Sequence, residues 1–290
     1  QRIDTPWIKD GGKLRRASFE EAFTLIKNNI INLTGQEIAA LAGRFADVES
    51  MLLLKELMGN LGSDLIDCRL NEIEFNPNDR NSYIFNSSIA GIEEADCILI
   101  VGSNPKKEVP VLNARIKKRL LKSNIPVGVI GDNIDLNYET KHLGSTLSTL
   151  IDILNGKNDF AKTLETAKKP MLIVGEGAFL SQDFNEVLSL LYALCSKYSI
   201  VNKDWNGYNF IHTSISNIGG LDIGFVNDKT NFKSILNKAS TREVKFVWLL
   251  NVDEVDFSKL QNSFVVYIGH HGGKGAEHAN VVLPSSLWLE

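Results

Sequence analysis

Three cysteines are the residues best suited to holding a metal, and their spacing argues against that role. Cys68, Cys97 and Cys195 include no CxxC pair. An iron–sulfur cubane takes four thiolates, and a structural zinc ion takes four Cys or His ligands at short spacings. Cys97 opens the apolar run CILIVG, and Cys195 lies on the apolar face of a predicted helix. The sequence therefore predicts buried free thiols in a reducing compartment, with no metal ligands.

Three of the five histidines lie close together in the segment GHHGGKGAEH, at positions 270, 271 and 278. The spacing from His271 to His278 fits no zinc pattern, and adjacent side chains in an extended run point to opposite faces. We expect a glycine-rich loop at a strand end with polar contacts. The chain also contains no HExxH motif and no nucleophile elbow. No catalytic residue is predicted.

Glycine-containing turns follow three apolar runs, at residues 102–105 (GSNP), 131–133 (GDN) and 175–177 (GEG). Glycine lets a backbone turn tightly and lets a phosphate approach amide N–H groups. None of the turns completes GxGxxG or GxxxxGK[ST]. Two interpretations stay open: ordinary strand-end turns, or a nucleotide-like pocket, working or abandoned. The candidate pocket residues are Gly102, Asn104 and Pro105.

A basic cluster stands out in an otherwise acidic chain. Its members are Lys106, Lys107, Arg115, Lys117, Lys118, Arg119 and Lys122. One interpretation is a solvated helix face, since Leu112, Ile116 and Leu120 recur at helical spacing and face inward. The other is a patch that contacts the phosphates of a large cofactor or an acidic partner surface.

Short apolar runs alternating with amphipathic stretches must position these residues. Ser18 and Glu21 form a predicted capping box for a helix with Phe19, Phe23, Ile26 and Ile30 on one face. Further helices are predicted at about 47–58, from Pro110, and at about 183–198. Strands are predicted at 38–43, 97–102, 126–131, 171–177, 246–254, 264–272 and 280–284. Continuous apolar strands between helices indicate parallel sheets covered on both faces.

The predicted fold class is therefore α/β, with Rossmann-like parallel sheets and flanking helices. CILIVGSNP, which begins at Cys97, and MLIVGEGA, which begins at Met171, look like one strand-then-glycine-turn device used twice. This echo is too weak and too long to be called a repeat. Separately, we predict two Rossmann-like units, at residues 1–154 and 155–290. The polar stretch 155–159 is the linker candidate.

Composition excludes some classes of function. The 290 residues carry a formal net charge of −4, which argues against a general nucleic-acid binder. The longest apolar runs are far too short to span a bilayer. The chain starts at Gln1 without a signal peptide and stops at Trp288–Leu289–Glu290 without a polar tail. Both ends look cut, so we expect a piece of a longer polypeptide.

Several blocks carry a resemblance that spans essentially the whole chain. The most specific is residues 80–122, with IAGIEEAD, VGSNP and PVLNARIKK. Further matches are ASFEEAF, AKKPMLIVGEGA and GHHGGKGAEHANVVLP. Together they resemble the large iron–sulfur subunit of respiratory complex I, which is known as the G subunit in bacteria and has a mitochondrial counterpart. This region of that subunit is similar to molybdopterin oxidoreductases of the formate dehydrogenase and DMSO reductase type.

The resemblance implies how cofactors are distributed. The family's [2Fe–2S] and [4Fe–4S] clusters belong to an upstream region, outside these residues. In the molybdopterin enzymes a G-x-NP turn like residues 102–105 helps to hold a bis-nucleotide cofactor, and a Cys, Ser or selenocysteine binds molybdenum. Here only Cys68 is nearby, and it falls too early for the ligand position. We therefore expect no molybdopterin, no metal ligand, and at most a vestigial pocket at Gly102, Asn104 and Pro105.

The resemblance also implies a function. It predicts a structural domain, non-catalytic by itself, of the NADH-quinone oxidoreductase, which carries electrons from NADH through Fe–S clusters toward quinone and translocates protons. The implied partners are the upstream iron–sulfur domains and other peripheral-arm subunits, with no nucleic acid and no direct membrane insertion. The implied location is peripheral, on the cytoplasmic side of the bacterial inner membrane or the matrix side in mitochondria. The alternatives are a working molybdopterin- or nucleotide-binding oxidoreductase domain, and a stand-alone regulatory nucleotide-binding module.

Overall fold

The computed structural model describes residues 2–180, 183–227 and 229–287. The two ends on which the predicted truncation rests, Gln1 and residues 288–290, lie outside the described residues. Within the described part of the chain, no helix is both long enough and apolar enough to cross a membrane.

The described elements are short strands and helices in mixed order. The strands are β1 (Trp7–Asp10), β2 (Lys13–Arg16), β3 (Ile38–Ala42), β4 (Ile66–Asp67), β5 (Cys97–Val101), β6 (Val127–Ile130), β7 (Lys141–Gly144), β8 (Pro170–Gly175), β9 (Tyr208–Ile211), β10 (Phe246–Leu250), β11 (Phe264–Gly269) and β12 (Val281–Pro284). The helices are α1 (Phe19–Ile30), α2 (Val48–Asn60), α3 (Ser88–Gly91), α4 (Pro105–Glu108), α5 (Pro110–Lys122), α6 (Leu147–Leu154), α7 (Phe160–Thr166), α8 (Phe184–Lys197), α9 (Ser216–Asp222), α10 (Phe232–Ser240) and α11 (Lys274–His278). All seven predicted strands are confirmed, and so is the α/β fold class.

The chain divides into two compact units. Unit 1 comprises Gln1–Pro77 and Ser214–Glu290, and unit 2 comprises Asn78–Thr213. Unit 2 is thus one continuous segment of the sequence, which interrupts the two sequence segments of unit 1. The predicted division between residues 154 and 155 falls inside unit 2, between α6 and α7. The physical reason is that strands on both sides of that point share one hydrogen-bonded sheet.

Unit 1 is built on a seven-stranded sheet in the order β2-β1-β12-β11-β10-β3-β4. The five strands from β12 to β4 are parallel, while β1 pairs antiparallel with both β2 and β12. Apolar side chains fill both faces, with α1 and α2 packed on one side and α10 on the other. From β3 the chain adds β4 on one side, and from β10 it adds β11 and β12 on the other side, so the strand order reverses between β3 and β10.

Unit 2 is built on a five-stranded parallel sheet in the order β7-β6-β5-β8-β9. Strands β5 and β8 are neighbours, and their register runs from Cys97↔Pro170 to Val101↔Val174. The sequence echo therefore marks two adjacent strands of one sheet. The predicted boundary between residues 154 and 155 would separate these two paired strands.

In helix α1 the N-cap forms as the sequence pattern predicts, but the residues that pack against the sheet differ from the predicted apolar face. Ser18 Oγ accepts a hydrogen bond from the Glu21 amide at 3.1 Å, as expected of an N-cap. The Glu21 carboxylate, however, accepts from Arg15. Of the predicted apolar face, Ile26 is buried, whereas Phe19 and Phe23 are 49% and 53% exposed. The small Ala22 takes a buried place against the sheet instead.

Candidate functional site

The candidate pocket residues lie at the topological switch point of unit 2. From β5 the chain proceeds to β6 and β7 on one side, and from β8 it proceeds to β9 on the other. In open parallel sheets, ligands bind in the crevice outside the carboxyl ends of the two strands at such a point. Residues 102–105 follow β5, and residues 175–177 end β8 and continue into a short 3₁₀ turn. The structure therefore places all three predicted turns at this edge of the sheet: 102–105 and 175–177 lie at the switch point, and Gly131, after β6, lies beside Gly102.

The two turns pack directly against each other at the switch point. Gly102 has φ of +61°, and a Cβ on it would lie 2.0 Å from the amide nitrogen of Ala178. A Cβ on Gly177 would lie 2.5 Å from the Gly102 carbonyl oxygen, and one on Gly175 would lie 2.5 Å from the Ser103 Cβ. Glycine is required here because one loop backbone touches the other.

A carboxylate of the chain itself takes the hydrogen-bond donors of the first turn. Glu108, at the end of α4, accepts from Ser103 Oγ at 2.6 Å and from the Asn104 amide at 2.8 Å. Glu176, in the second turn, accepts from the Thr213 amide at 3.0 Å and from the Thr213 hydroxyl. A phosphate would have to displace one carboxylate and would be repelled by both.

Asn104 and Pro105 complete the first turn. Pro105 stands at the first position of α4 and has no N–H group. The Asn104 side-chain Oδ1 is buried and has no hydrogen-bond partner in the described part of the chain. It is an acceptor, so it suits an N–H group and not a phosphate oxygen. A pyrophosphate at this turn would therefore compete with Glu108 for the Ser103 hydroxyl and the Asn104 amide.

Unit 1 has a second switch point, between β3 and β10, which the sequence reasoning missed. Gly43 follows β3, and a Cβ on it would lie 1.9 Å from the carbonyl oxygen of Asn251 after β10. Asn251 has a left-handed backbone, with φ of +53°, and its Oδ1 is buried without a partner in the described residues. Ser216 Oγ donates to the Gly43 carbonyl at 2.9 Å. The available signal was a glycine or asparagine directly after each buried apolar run.

Cys68 is enclosed in the core of unit 1. Its Sγ would lie 2.5 Å from a Cβ on Gly220, so the thiol is in van der Waals contact with α9. Burial raises the pKa of this thiol far above its ordinary value. Burial likewise raises the pKa of Cys97 and of Cys195 to about 12. The prediction of buried free thiols is confirmed.

The three clustered histidines do not have the predicted arrangement. His270 Nδ1 and His271 Nδ1 lie 2.9 Å apart, so the prediction that these side chains point to opposite faces is wrong. The reason is that β11 ends at Gly269 and the chain is no longer a regular strand there. His278 lies apart, stacked on Phe257, with its Nδ1 2.8 Å from the Lys274 carbonyl oxygen.

The predicted basic cluster separates into distinct roles. Arg119 is buried and donates to the Ala95 carbonyl at 2.9 Å. Lys106 bonds to Asn137 Oδ1 at 2.9 Å. Arg115, Lys118 and Lys122 all contact the single carboxylate of Glu93. The cluster therefore forms no single anion site, although part of it stays on an exposed helix face.

One cavity, of about 530 Å³, opens at the amino ends of β6 and β7 and includes Ile125, Thr140 and Phe160 in its lining. Another, of about 420 Å³, lies beside α8 and includes Tyr192 and Tyr208.

Comparisons with known proteins agree with this architecture. A family model described as molybdopterin oxidoreductase matches residues 2–290. The G subunit of the NADH-quinone oxidoreductase of Rickettsia felis is 38% identical over 290 residues, covering 100% of this chain and 42% of the relative. The iron–sulfur protein 1 of mitochondrial NADH dehydrogenase [ubiquinone] from Solanum tuberosum is 36% identical over 292 residues, covering 100% and 38%. This chain thus spans about two-fifths of the length of these relatives.

A solved structure gives the same fold at low sequence identity. Acetylene hydratase from Pelobacter acetylenicus superposes with a TM-score of 0.67 at 12% identity, covering 100% of this chain and 56% of that one. The resemblance predicted from residues 80–122 and the other blocks is confirmed by the relatives. Sequence and fold together lead to one conclusion: the chain belongs to the molybdopterin oxidoreductase family.

Proposed function

We propose that this chain is a structural, cofactor-free domain of the iron–sulfur subunit of an NADH-quinone oxidoreductase. The whole enzyme would carry electrons from NADH through [2Fe–2S] and [4Fe–4S] clusters toward quinone, coupled to proton translocation. The clusters would belong to upstream domains of the same polypeptide. Those domains and other peripheral-arm subunits are the partners, and the domain would lie at the cytoplasmic face of the bacterial inner membrane. Support comes from relatives that align with every part of this chain.

The observation that carries the cofactor-free proposal is that the two turns at the switch point of unit 2 pack on each other and that Glu108 takes the donors of the first turn. Glu108 accepts from Ser103 and Asn104, and Gly102 contacts the backbone of residues 177–178. A dianionic pyrophosphate would meet a carboxylate and a closed loop pair instead of free N–H groups. Cys68, the one thiol near the expected ligand position, is buried against α9.

The test is elemental and nucleotide analysis of the whole enzyme purified from its native host. We expect no stoichiometric molybdenum or tungsten and no guanine nucleotide released on denaturation. Finding either one at one or two equivalents per subunit would overturn the cofactor-free assignment. NADH-dependent reductase activity from the isolated 290-residue chain would overturn the structural assignment, because electron entry would then not need the upstream clusters.

A second candidate, a working molybdopterin- or nucleotide-binding domain, is favoured by one observation. Asn104 Oδ1 and Asn251 Oδ1 are both buried acceptors without a partner among the described residues, and each lies at a switch point. An N–H group of a heterocycle could supply the missing bond. Calorimetric titration of the chain with GDP separates the two: no heat is expected under the structural proposal. A Glu108→Ala variant, with Glu165→Ala as the control at an exposed site, would show whether the carboxylate is what excludes the anion.

A further inference from the structure

Helix α5 has an exposed face that no described residue of unit 2 covers. Val111 and Leu121 are 81% and 80% exposed, the highest values among the large hydrophobic residues described. With Ala114 they lie at positions i, i+3 and i+10, which fall within about 80° of one another at 100° per residue. Leu112 and Ile116 occupy the opposite side and are buried in the core. The helix therefore has one apolar face for its own sheet and a second apolar stripe that faces outward.

Lysines flank that outward stripe. Lys117 is exposed and makes no hydrogen bond or ion pair with any described residue. Lys118 lies between Ala114 and Leu121 on the helix surface, and its side chain is 61% exposed. Lys122 lies on the other flank and is also more than half exposed. Lys117 and Lys122 thus border the stripe on its two sides, and Lys118 lies within it.

Internal ion pairs neutralise only part of this charge. Glu93 lies 3.0 Å from Arg115 and 3.2 Å from Lys118, and it also contacts Lys122. The hydrogen bonds from Lys122 and Lys118 lower the pKa of Glu93 to about 2, so the carboxylate is charged at neutral pH. One negative charge is therefore shared among three positive ones. Between Pro105 and Lys122 the chain has seven cations and one carboxylate, in a protein whose net charge is −4.

We propose that the outward face of α5, formed by Val111, Ala114, Lys117, Lys118 and Leu121, is a docking surface for a protein partner with an apolar groove bordered by carboxylates. Exposed apolar residues ringed by polar ones mark protein interfaces, and complementary charge at the rim fixes register and speeds association. The inference rests on the proposed function only in taking this partner to be another subunit of the NADH-quinone oxidoreductase.

A protein fits this face better than a membrane does. An interfacial membrane helix buries a continuous apolar side in lipid. Here that side of α5 is already occupied by the sheet, and only two large side chains, ten residues apart, face outward. Two such residues separated by lysines suit pockets in a shaped partner. A lipid surface offers no pockets at that spacing.

The test uses the full-length subunit in intact native cells, with photo-reactive benzoylphenylalanine at position 121. We expect a cross-link to a peptide that combines apolar residues with Asp or Glu. In a Lys117→Glu/Lys118→Glu background the cross-link yield should fall about tenfold, because like charges then face each other. Replacing the acidic residues of the identified peptide by Lys should restore it. The matched control places the probe at Ile151 in a Lys162→Glu background, since both residues are exposed elsewhere in unit 2.

Three outcomes would overturn the docking surface. They are a cross-link to lipid, no cross-link from position 121 in cells that contain assembled enzyme, and a yield that charge reversal leaves unchanged. Co-purification of the wild-type subunit with NADH-quinone reductase activity is measured in the same cells. Its failure would count against the proposed function, whereas normal co-purification without the cross-link would count against this surface alone.

Discussion

Single glycines decide how the switch point of unit 2 is built. Gly102 combines a left-handed backbone with direct contact to the Ala178 amide. Either condition alone disfavours a side chain, since the left-handed region strains L-residues and the contact leaves no room for a Cβ. Gly156, after α6, shares the left-handed backbone, with φ of +70°, but has no atom within 4 Å of an added Cβ. Comparing substitutions at Gly102 and Gly156 therefore separates the cost of backbone strain from the cost of steric exclusion.

Gly102→Ala should therefore destabilise the protein much more than Gly156→Ala. We expect about 1 kcal/mol for Gly156→Ala from backbone strain. For Gly102→Ala we expect at least about 2 kcal/mol more, from the forced separation of the two loops. Urea denaturation followed by circular dichroism gives both values. Equal costs would show that the loops separate without penalty and that the crevice is not held closed by packing.

A second feature at the scale of residues is the buried ion pair between Asp67, the last residue of β4, and Arg69. Asp67 is fully buried and accepts from the Arg69 amide, from Arg69 Nε at 3.0 Å, and from the Phe232 amide at 3.0 Å. It thereby ties the end of β4 to the N-terminus of α10. Removing one charge of a buried pair leaves the other uncompensated.

Asp67→Asn should cost about 3–5 kcal/mol of unfolding free energy. The double variant Asp67→Asn/Arg69→Met should recover part of this loss, because it also removes the uncompensated guanidinium. Denaturation midpoints of the wild type and the variants measure the effect. If the double variant were no more stable than Asp67→Asn alone, the Phe232 hydrogen bond and not the charge pair would be the important contact.

At the scale of elements, edge strand β9 is closed off by a non-regular segment. The Phe210 amide donates to the Ile84 carbonyl at 3.1 Å, and Asn209 Oδ1 accepts from the Ser87 amide at 2.9 Å. His212 Nε2 lies 2.6 Å from the Tyr83 carbonyl oxygen. An uncovered edge would be a template for pairing with another chain. Segment 82–87 satisfies this edge, so it belongs to the sheet although it is not a strand.

His212 should make this cover sensitive to pH. Burial lowers the pKa of His212 in the folded protein, while the unfolded value is about 6.5. Below about pH 6.5 the unfolded state binds more protons than the folded state, so stability falls as pH decreases. The stability that the neutral His212 contributes is fully present above about pH 6.5 and is lost as the pH falls through the pKa of the folded protein.

The measurement is unfolding free energy at pH 7.5 and pH 5.5. The wild type should lose stability between the two, and His212→Gln should lose less, because its amide keeps a donor near Tyr83 but does not titrate. His142→Gln is the matched control, since His142 Nε2 contacts a carbonyl oxygen from an exposed position. The same pH dependence in His212→Gln as in the wild type would assign the effect to another group.

At the scale of the whole molecule, the sequence predicted the strands and helices better than it predicted which strands lie next to each other. Runs such as CILIV and FVWLL are apolar on both faces, so their strand character needs no partner to be recognised. That β5 lies beside β8 depends on contacts between segments far apart in the chain, and only the repeated device hinted at it. The role of Glu108 was hidden as well, because an acid near a helix start is common and its two donors are known only once the turn is folded.

The division into units gives the last prediction. Residues 78–213 contain β5 to β9 and α3 to α8, so a fragment with these ends holds a complete sheet. A fragment of residues 1–154 would keep β5, β6 and β7 but lose β8, which leaves the apolar edge 97–101 without its partner. Unpaired apolar edges aggregate. It would also lose β10, the strand that joins β3 to β11.

We therefore expect the 78–213 fragment to be monomeric on gel filtration and to unfold in one cooperative urea transition. The 1–154 fragment should aggregate or unfold without a cooperative transition. Heteronuclear NMR spectra of the two fragments provide an independent reading, since only a packed sheet disperses the amide resonances of residues 97–101. A cooperative 1–154 together with an unfolded 78–213 would mean that chain order, and not the pairing of β5 with β8, sets the folding unit. Folding of 78–213 alone would show that the packing of the two turns after β5 and β8 is a property of unit 2 itself. The residues that make these contacts, including Glu108, all lie within that segment.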